Sequence, residues 1–267
     1  LLDDEDPEVK EHVHGKLISM GAEVIPSLEE AWEQQVEGSI QSSIEEIIFL
    51  IQSERVISDL RSWQARTHPS LLEGWLHVTR YRYPDLNEKE LRMAFNRLTN
   101  RIWLELRAGM ALPEKLTQIN RMLYEREKFS GDRKNPFRPR LHYLNELMET
   151  KKGSPLSLGM LYLVICEQLE LPMEGIVVPG YFVLVHRDGG NTFYLDPFNK
   201  GKLFLRKDLA RYLKQIKAQK APEDFKPATA PEVIHTLIRA LIQGYRKADK
   251  GNKVRELQQL LEAIREA

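Results

Sequence analysis

Apolar positions recur every three or four residues along most of this chain, a period that predicts helices. In the first 60 residues, Val9, Val13 and Leu17 form one stripe, Gly21 breaks it, and Val24, Ile25, Leu28 and Trp32 begin another. A third stripe carries Ile40, Ile44, Ile47, Ile48 and Ile51. Asp3, Asp4 and Asp6 precede Pro7, a favourable opening because proline lacks only an orphaned donor and acids suit the positive dipole end. Residues 67–130 continue the helical pattern. Leu72, Trp75, Leu76 and Val78 precede a turn at Pro84-Asp85, and Asn87 with Glu90 has capping-box character for a helix through Phe95, Leu98 and Trp103. Leu116, Ile119, Met122 and Leu123 mark one more helix, after which FSGDRKNPFRPR reads as a long polar loop.

The period shifts from helical to alternating only near residue 174. GIVVPGYFVLVHRDGGNTFYLDPF combines β-branched and aromatic runs with Pro-Gly and Asp-Gly-Gly punctuation, which predicts a short antiparallel meander. Before it, Ser154 and Pro155 open a helix that buries Leu158, Leu161, Tyr162, Ile165 and Leu169. After KGKLFLRKDL the chain returns to helix, KAQKAPEDFKPATAP reads as an exposed linker, and residues 231–267 contain two helices. The expected fold class is therefore α+β, mainly helical, with one small antiparallel sheet.

Two flanks resemble repeat units. DPEVKEHVHGKLISMGAEVIPSLEEAWE resembles a HEAT-type helix pair, and the tail resembles a tetratricopeptide-type hairpin. This divides the chain into a helical N-terminal segment (1–66), a core with its helical lead-in (67–220) and a helical tail (221–267).

Composition narrows the function classes. Lys+Arg and Asp+Glu both total 39, so no net field draws in nucleic acid or an anionic membrane. No apolar run approaches the roughly 18–20 residues that span a bilayer. The opening LLDDEDPEV lacks the regions of a signal peptide, so a cytoplasmic protein is expected, although without an initiator Met the natural start stays open. A lone cysteine excludes an intramolecular disulfide and a cysteine-based zinc site. His12 and His14 stand two apart on a helix and diverge by about 200°, so no metal site is expected either. No cofactor is implied.

The chemistry-bearing residues between 143 and 198 each have a structural explanation. Ser154 caps a helix whose first residue is Pro155. Ser157 is the nearest hydroxyl, but it lies two residues on, about 200° around the helix from position 155. Cys166 sits in the apolar stripe between Tyr162 and Leu169, where cysteine behaves as a small hydrophobe. Along the strand, Tyr181, Val183 and Val185 share one face, and Phe182, Leu184 and His186 share the other, so His186 cannot act from the place of Tyr181. Asp196 closes the meander before proline, a turn position. Tyr181 and Asp196 are candidates for a cross-strand hydrogen bond lining a cleft, and Asn145 is a candidate amide for the same groove.

PDLNEKELRMAFNRL, INRMLYEREKFSGDRKNPFRPRLHYLNELMETKKGSPLSLGMLYL, GIVVPGYFVLV and YLDPF, in that order, resemble the SirB-one family of bacterial transglutaminase-like proteins, over roughly residues 70–265. The resemblance implies a papain-like or transglutaminase-like core flanked by helical repeats. It also implies that Pro155 stands at the superfamily's nucleophile position, Tyr181 at its histidine position and Asp196 at its acid position. The expectation is a non-catalytic module that binds a peptide or protein partner at a groove lined by Asn145, Ser154, Ser157, Tyr181 and Asp196. The alternative is an amide hydrolase or acyltransferase with an unorthodox centre at Ser157 or at a Tyr181–Asp196 pair. A scaffold whose groove is filled by its own side chains is the third reading.

Overall fold

The computed structural model describes residues 6–35, 38–179, 181–188 and 191–264. Eleven α-helices are assigned among them: α1 Pro7–Met20, α2 Ile25–Gln34, α3 Gly38–Gln64, α4 Leu71–Arg82, α5 Glu88–Trp103, α6 Leu112–Asn120, α7 Leu144–Thr150, α8 Pro155–Gln168, α9 Arg206–Gln215, α10 Ala230–Lys247 and α11 Gly251–Ala263. Six strands accompany them: β1 Ser130–Gly131, β2 Lys152–Gly153, β3 Glu174–Val178, β4 Tyr181–Asp188, β5 Asn191–Asp196 and β6 Lys202–Phe204. The α+β class is thus the observed one.

Local chemistry sets most helix ends. Asp6 caps α1 by accepting from the Glu8 N–H at 2.9 Å, while Asp3 and Asp4 lie outside the described residues. Gly21 ends that helix at φ +70°, a left-handed value that glycine adopts without a Cβ penalty. Asn87 caps α5 by accepting from the Glu90 N–H at 3.1 Å. Only that half of the expected capping box is made among the described residues.

α3 runs 27 residues, beyond its predicted isoleucine stripe, and joins two cores. Its first half places Ile40, Ile44, Ile47 and Ile51 against Val24 and Leu28 in a small N-terminal cluster. Its second half sends Val56, Leu60 and Trp63 into the main core. That core also takes Trp75 from α4, Phe95 from α5, most of α8, and Val233, Ile234, Leu237 and Ile238 from α10. The tail hairpin therefore contributes to the main core, together with the second half of α3.

β3, β4, β5 and β6 form one antiparallel sheet in sequential order. The register pairs Val177 with Phe182, Leu184 with Leu195, and Leu195 with Leu203. Side-chain parity follows the sequence reading. Phe182, Leu184 and Leu195 face the main core, while Ile176, Val178, Val183, Val185 and Tyr194 pack with Leu209 and Leu213 of α9. Gly159 lets α8 lie close on β4, since a Cβ there would collide with the Phe182 ring.

Two segments differ from expectation. The predicted exposed linker is pinned across the sheet: Phe225 is buried against it, and the Ala228 N–H donates to the Gly175 carbonyl at 2.8 Å. The polar loop after Phe129 is tied down as well, because β1 pairs in parallel with β2 just before α8. Burial of one aromatic and a few backbone bonds outweigh the breaker-rich composition that suggested free loops.

Candidate functional site

The site is built around the first turn of α8. Ser154 Oγ accepts the Ser157 N–H at 3.0 Å, and Ser157 Oγ accepts the Ser154 N–H at 2.9 Å, a reciprocal cap. Ser157 Oγ then donates to the Leu141 carbonyl at 2.6 Å. Exposure is 1% for Ser154 and 0% for Ser157, so both hydroxyls are structural in geometry. Pro155, at the first helical position, faces a cavity of about 580 Å³ that Ser154, Leu156, Val178 and Tyr181 also line. Ser157 does not line it.

Tyr181 opens β4 on the α9 side of the sheet. Its ring meets Phe198 and Tyr212 edge-on, with centroids 5.9 Å and 6.0 Å away. Beyond it lies a second cavity of about 400 Å³, lined by Tyr181, Asp196, Asn199, Asp208 and Tyr212 among others. Tyr181 and Val178 line both cavities, whereas Pro155 lines only the first and Asp196 only the second.

The expected direct Tyr181–Asp196 hydrogen bond gives way to a bridge. Asn199 Nδ2 donates to Asp196 Oδ2 at 2.5 Å and to the Tyr181 hydroxyl at 3.2 Å, while the Asn199 N–H donates to Asp196 Oδ1 at 3.1 Å. Arg133 Nη2 in turn donates to Asn199 Oδ1 at 2.5 Å, so this amide is engaged on both sides. The physical reason is a short 3-10 turn, Pro197–Asn199, that folds the amide back over the acid three residues earlier.

Electrostatics follow burial. Desolvation raises the Asp196 carboxyl, and the hydrogen bonds from Asn199 partly oppose it. Desolvation raises the Tyr181 phenol too, with the nearby Asp196 charge adding to the effect. Cys166 is fully buried in α8, and burial pushes its thiol up, away from the reactive thiolate. His142, 3% exposed, lines the first cavity, and burial pulls its imidazole down to about 4. It is neutral at pH 7, with Nδ1–H donating to the Arg138 carbonyl at 3.2 Å.

The remaining candidates lie elsewhere. Asn145 is half-buried in the first turn of α7, lines neither cavity, and its Oδ1 is buried without a hydrogen-bond partner. His186 Nδ1–H donates to the Pro172 carbonyl at 2.8 Å, and its ring lies 5.1 Å from that of Phe193. Among the described residues no group of three or more His, Cys, Asp or Glu could hold a metal ion, and no helix is long and apolar enough to cross a membrane.

Sequence reading missed His142, Asn199, Tyr212, Phe225 and Arg239, all of which line one cavity or the other. Asn199 carried a local signal, three residues after an aspartate in Asp-Pro-Phe-Asn. Arg239 carried none, since α10 reaches the cavity only through the tertiary fold.

Comparison with known proteins places this chain in a wider group. A family model described as the transglutaminase-like superfamily matches residues 89–239, from the start of α5 to the middle of α10. A UPF0162 protein of Xylella fastidiosa (strain Temecula1) is 24% identical over 189 residues, covering 68% of this chain and 67% of that protein. A UPF0162 protein of Vibrio cholerae is 28% identical over 168 residues, covering 61% and 62%. F-box only protein 21 of Homo sapiens is 23% identical over 188 residues, which are 58% of this chain but 30% of that protein. No solved structure matches.

Proposed function

The chain belongs to the transglutaminase-like superfamily, and from that premise we propose that it is a non-catalytic member acting as a peptide- or protein-binding module. The observation that carries this reading is the residue at the mouth of α8. Pro155 faces the larger cavity and has no nucleophilic atom, while the two neighbouring hydroxyls are consumed in the helix cap. A nucleophile needs a base within hydrogen-bond reach. At the implied base position stands Tyr181, a phenol whose ionisation is disfavoured.

The proposal keeps the narrower SirB-one resemblance and a cytoplasmic setting. The α1–α2 pair and the α10–α11 hairpin are the HEAT-like and tetratricopeptide-like surfaces on which a protein partner would rest. Asn145 belongs to this proposal as an amide whose buried oxygen lacks a partner.

The test is to incubate the purified chain with glutamine-containing peptides and a primary amine, and separately with serine- and thiol-reactive probes. The expected result is neither crosslinking nor amide hydrolysis, with no labelling of Ser157 or Cys166 in the folded state. Turnover abolished by Asp196→Asn, or specific labelling at Ser157, would overturn the reading in favour of an unorthodox hydrolase or acyltransferase.

A further inference from the structure

We infer that the cavity beside Pro155 selects the free C-terminal carboxylate of a peptide ending in an apolar residue. This rests on the binding reading above and adds the ligand's chemical class. Lys220 and Arg239 both line the cavity, and no aspartate or glutamate does. Neither forms an ion pair among the described residues. Arg239 also borders a smaller cavity that Glu262 of α11 lines, without an ion pair between the two. Two unneutralised cations on one concave wall create a positive potential that a carboxylate complements, and arginine can grip it through two parallel N–H···O bonds.

The same wall carries the first turn of α8, whose positive dipole end adds to that field over a short range. Lys220 Nζ lies 5.9 Å from the Phe225 ring centroid, so one cation stands beside the apolar floor. That floor is made by Leu156, Val177, Val178 and Phe225, suited to an apolar side chain next to the carboxylate. A polypeptide end also brings amide N–H and C=O groups. His142, neutral and donating through Nδ1, keeps Nε2 in its acceptor form, and the Gln243 amide, free of hydrogen bonds among the described residues, offers both a donor and an acceptor. A cavity of about 580 Å³ lies inside the usual range for ligand sites, roughly 300–1,000 Å³.

The experiment measures fluorescence polarisation of the full chain with labelled heptapeptides ending in Gly-Ala-Leu. One carries a free carboxylate, one a C-terminal amide, and one a C-terminal amide with an internal Glu. The expected result is at least about ten-fold tighter binding of the free acid than of either amide, and a ratio that collapses toward one in Arg239→Gln while amide binding is unchanged. Lys220→Gln lowers the ratio by a smaller factor. Arg239 is exposed, so the variant should unfold at the parental denaturant midpoint, which is checked alongside. Equal binding of acid and amide would overturn this inference and leave the binding module standing. Equal binding of the free acid and the internal-Glu peptide would overturn the C-terminal preference. Displacement of the free-acid peptide by octanoate at equal concentration would show that a small amphiphile suffices and would overturn the peptide class. Failure of all three peptides to bind would overturn both readings.

Discussion

On one side of Tyr181 the cavity wall carries Pro155, His142, Lys220 and Arg239 with no carboxylate; on the other stand Asp196, Asp208 and Lys202 beside Tyr212 and Phe204. The first wall is assembled from α8, α10 and the strap before α10, and the second from the sheet edge and α9. Their difference shows that one ring can separate two cavities of unlike charge within a single site. The positions that the superfamily resemblance assigns to nucleophile and acid open into different cavities, with an aromatic ring lining both. A nucleophile–base–acid triad needs its three groups in one hydrogen-bonded line. Here the acid's partner is an amide, Asn199, which donates to the carboxylate but has no basic nitrogen to take a proton from a nucleophile.

The strongest way to break the comparison is to remove the packing that sets the strand's parity. Phe182 is fully buried between α8 and the sheet and dictates that Tyr181 points the other way. Phe182→Ala should lower unfolding free energy by about 3–5 kcal/mol in a guanidinium titration. A loss under about 1 kcal/mol would mean that this contact does not organise the partition.

The two cavities should also respond oppositely to acid. The folded-state pKa of His142 is depressed to about 4, against about 6.5 unfolded, so the unfolded chain binds more protons between those values. Its contribution is fully present above about pH 6.5 and is lost as pH falls toward 4, a decrease of roughly 3 kcal/mol. Denaturation at pH 7 and pH 4.5 measures it, and His142→Gln should flatten the slope. Asp196 has the reverse sign. Its raised carboxyl makes the folded chain the better proton binder just above the ordinary aspartate range, so its contribution falls as pH rises through that window. Asp196→Asn should remove that smaller opposing slope while leaving the acid sensitivity due to His142 in place.

Smaller effects sharpen the picture. Ser157→Ala removes half of the reciprocal cap and the bond to Leu141, which predicts a loss of about 1–2 kcal/mol in the same titration. An effect on peptide binding at unchanged stability would instead argue that this hydroxyl meets ligand. Tyr181→Phe keeps the ring and deletes one bond to Asn199, so it should cost no more than about 1 kcal/mol and leave the acid-to-amide peptide ratio untouched.

Local chemistry was legible in the sequence. The Ser154-Pro155 helix start, the Gly21 stop, the Asn87 cap and the alternation across β4 each depend on residues within a few positions, where backbone sterics and side-chain parity leave few choices. The burial of Cys166 and the placing of Ser157 away from the cavity that Pro155 faces belong to the same class. The linker before α10 was misread because breaker-rich composition reports local stiffness and solubility, not whether Phe225 finds an apolar surface to cover.

The sequence by itself therefore determined most of the elements, their polarity and the proline at the start of α8, because all of these follow from near neighbours. Tertiary structure alone decided that α10 and α11 contribute to the main core, that Asn199 stands between Tyr181 and Asp196, and that Arg239 reaches the wall beside Pro155. Those facts join residues far apart in the chain, 84 positions for Pro155 and Arg239 and 160 for Gly74 and Ile234, and only the packing of apolar surface brings such distant groups together.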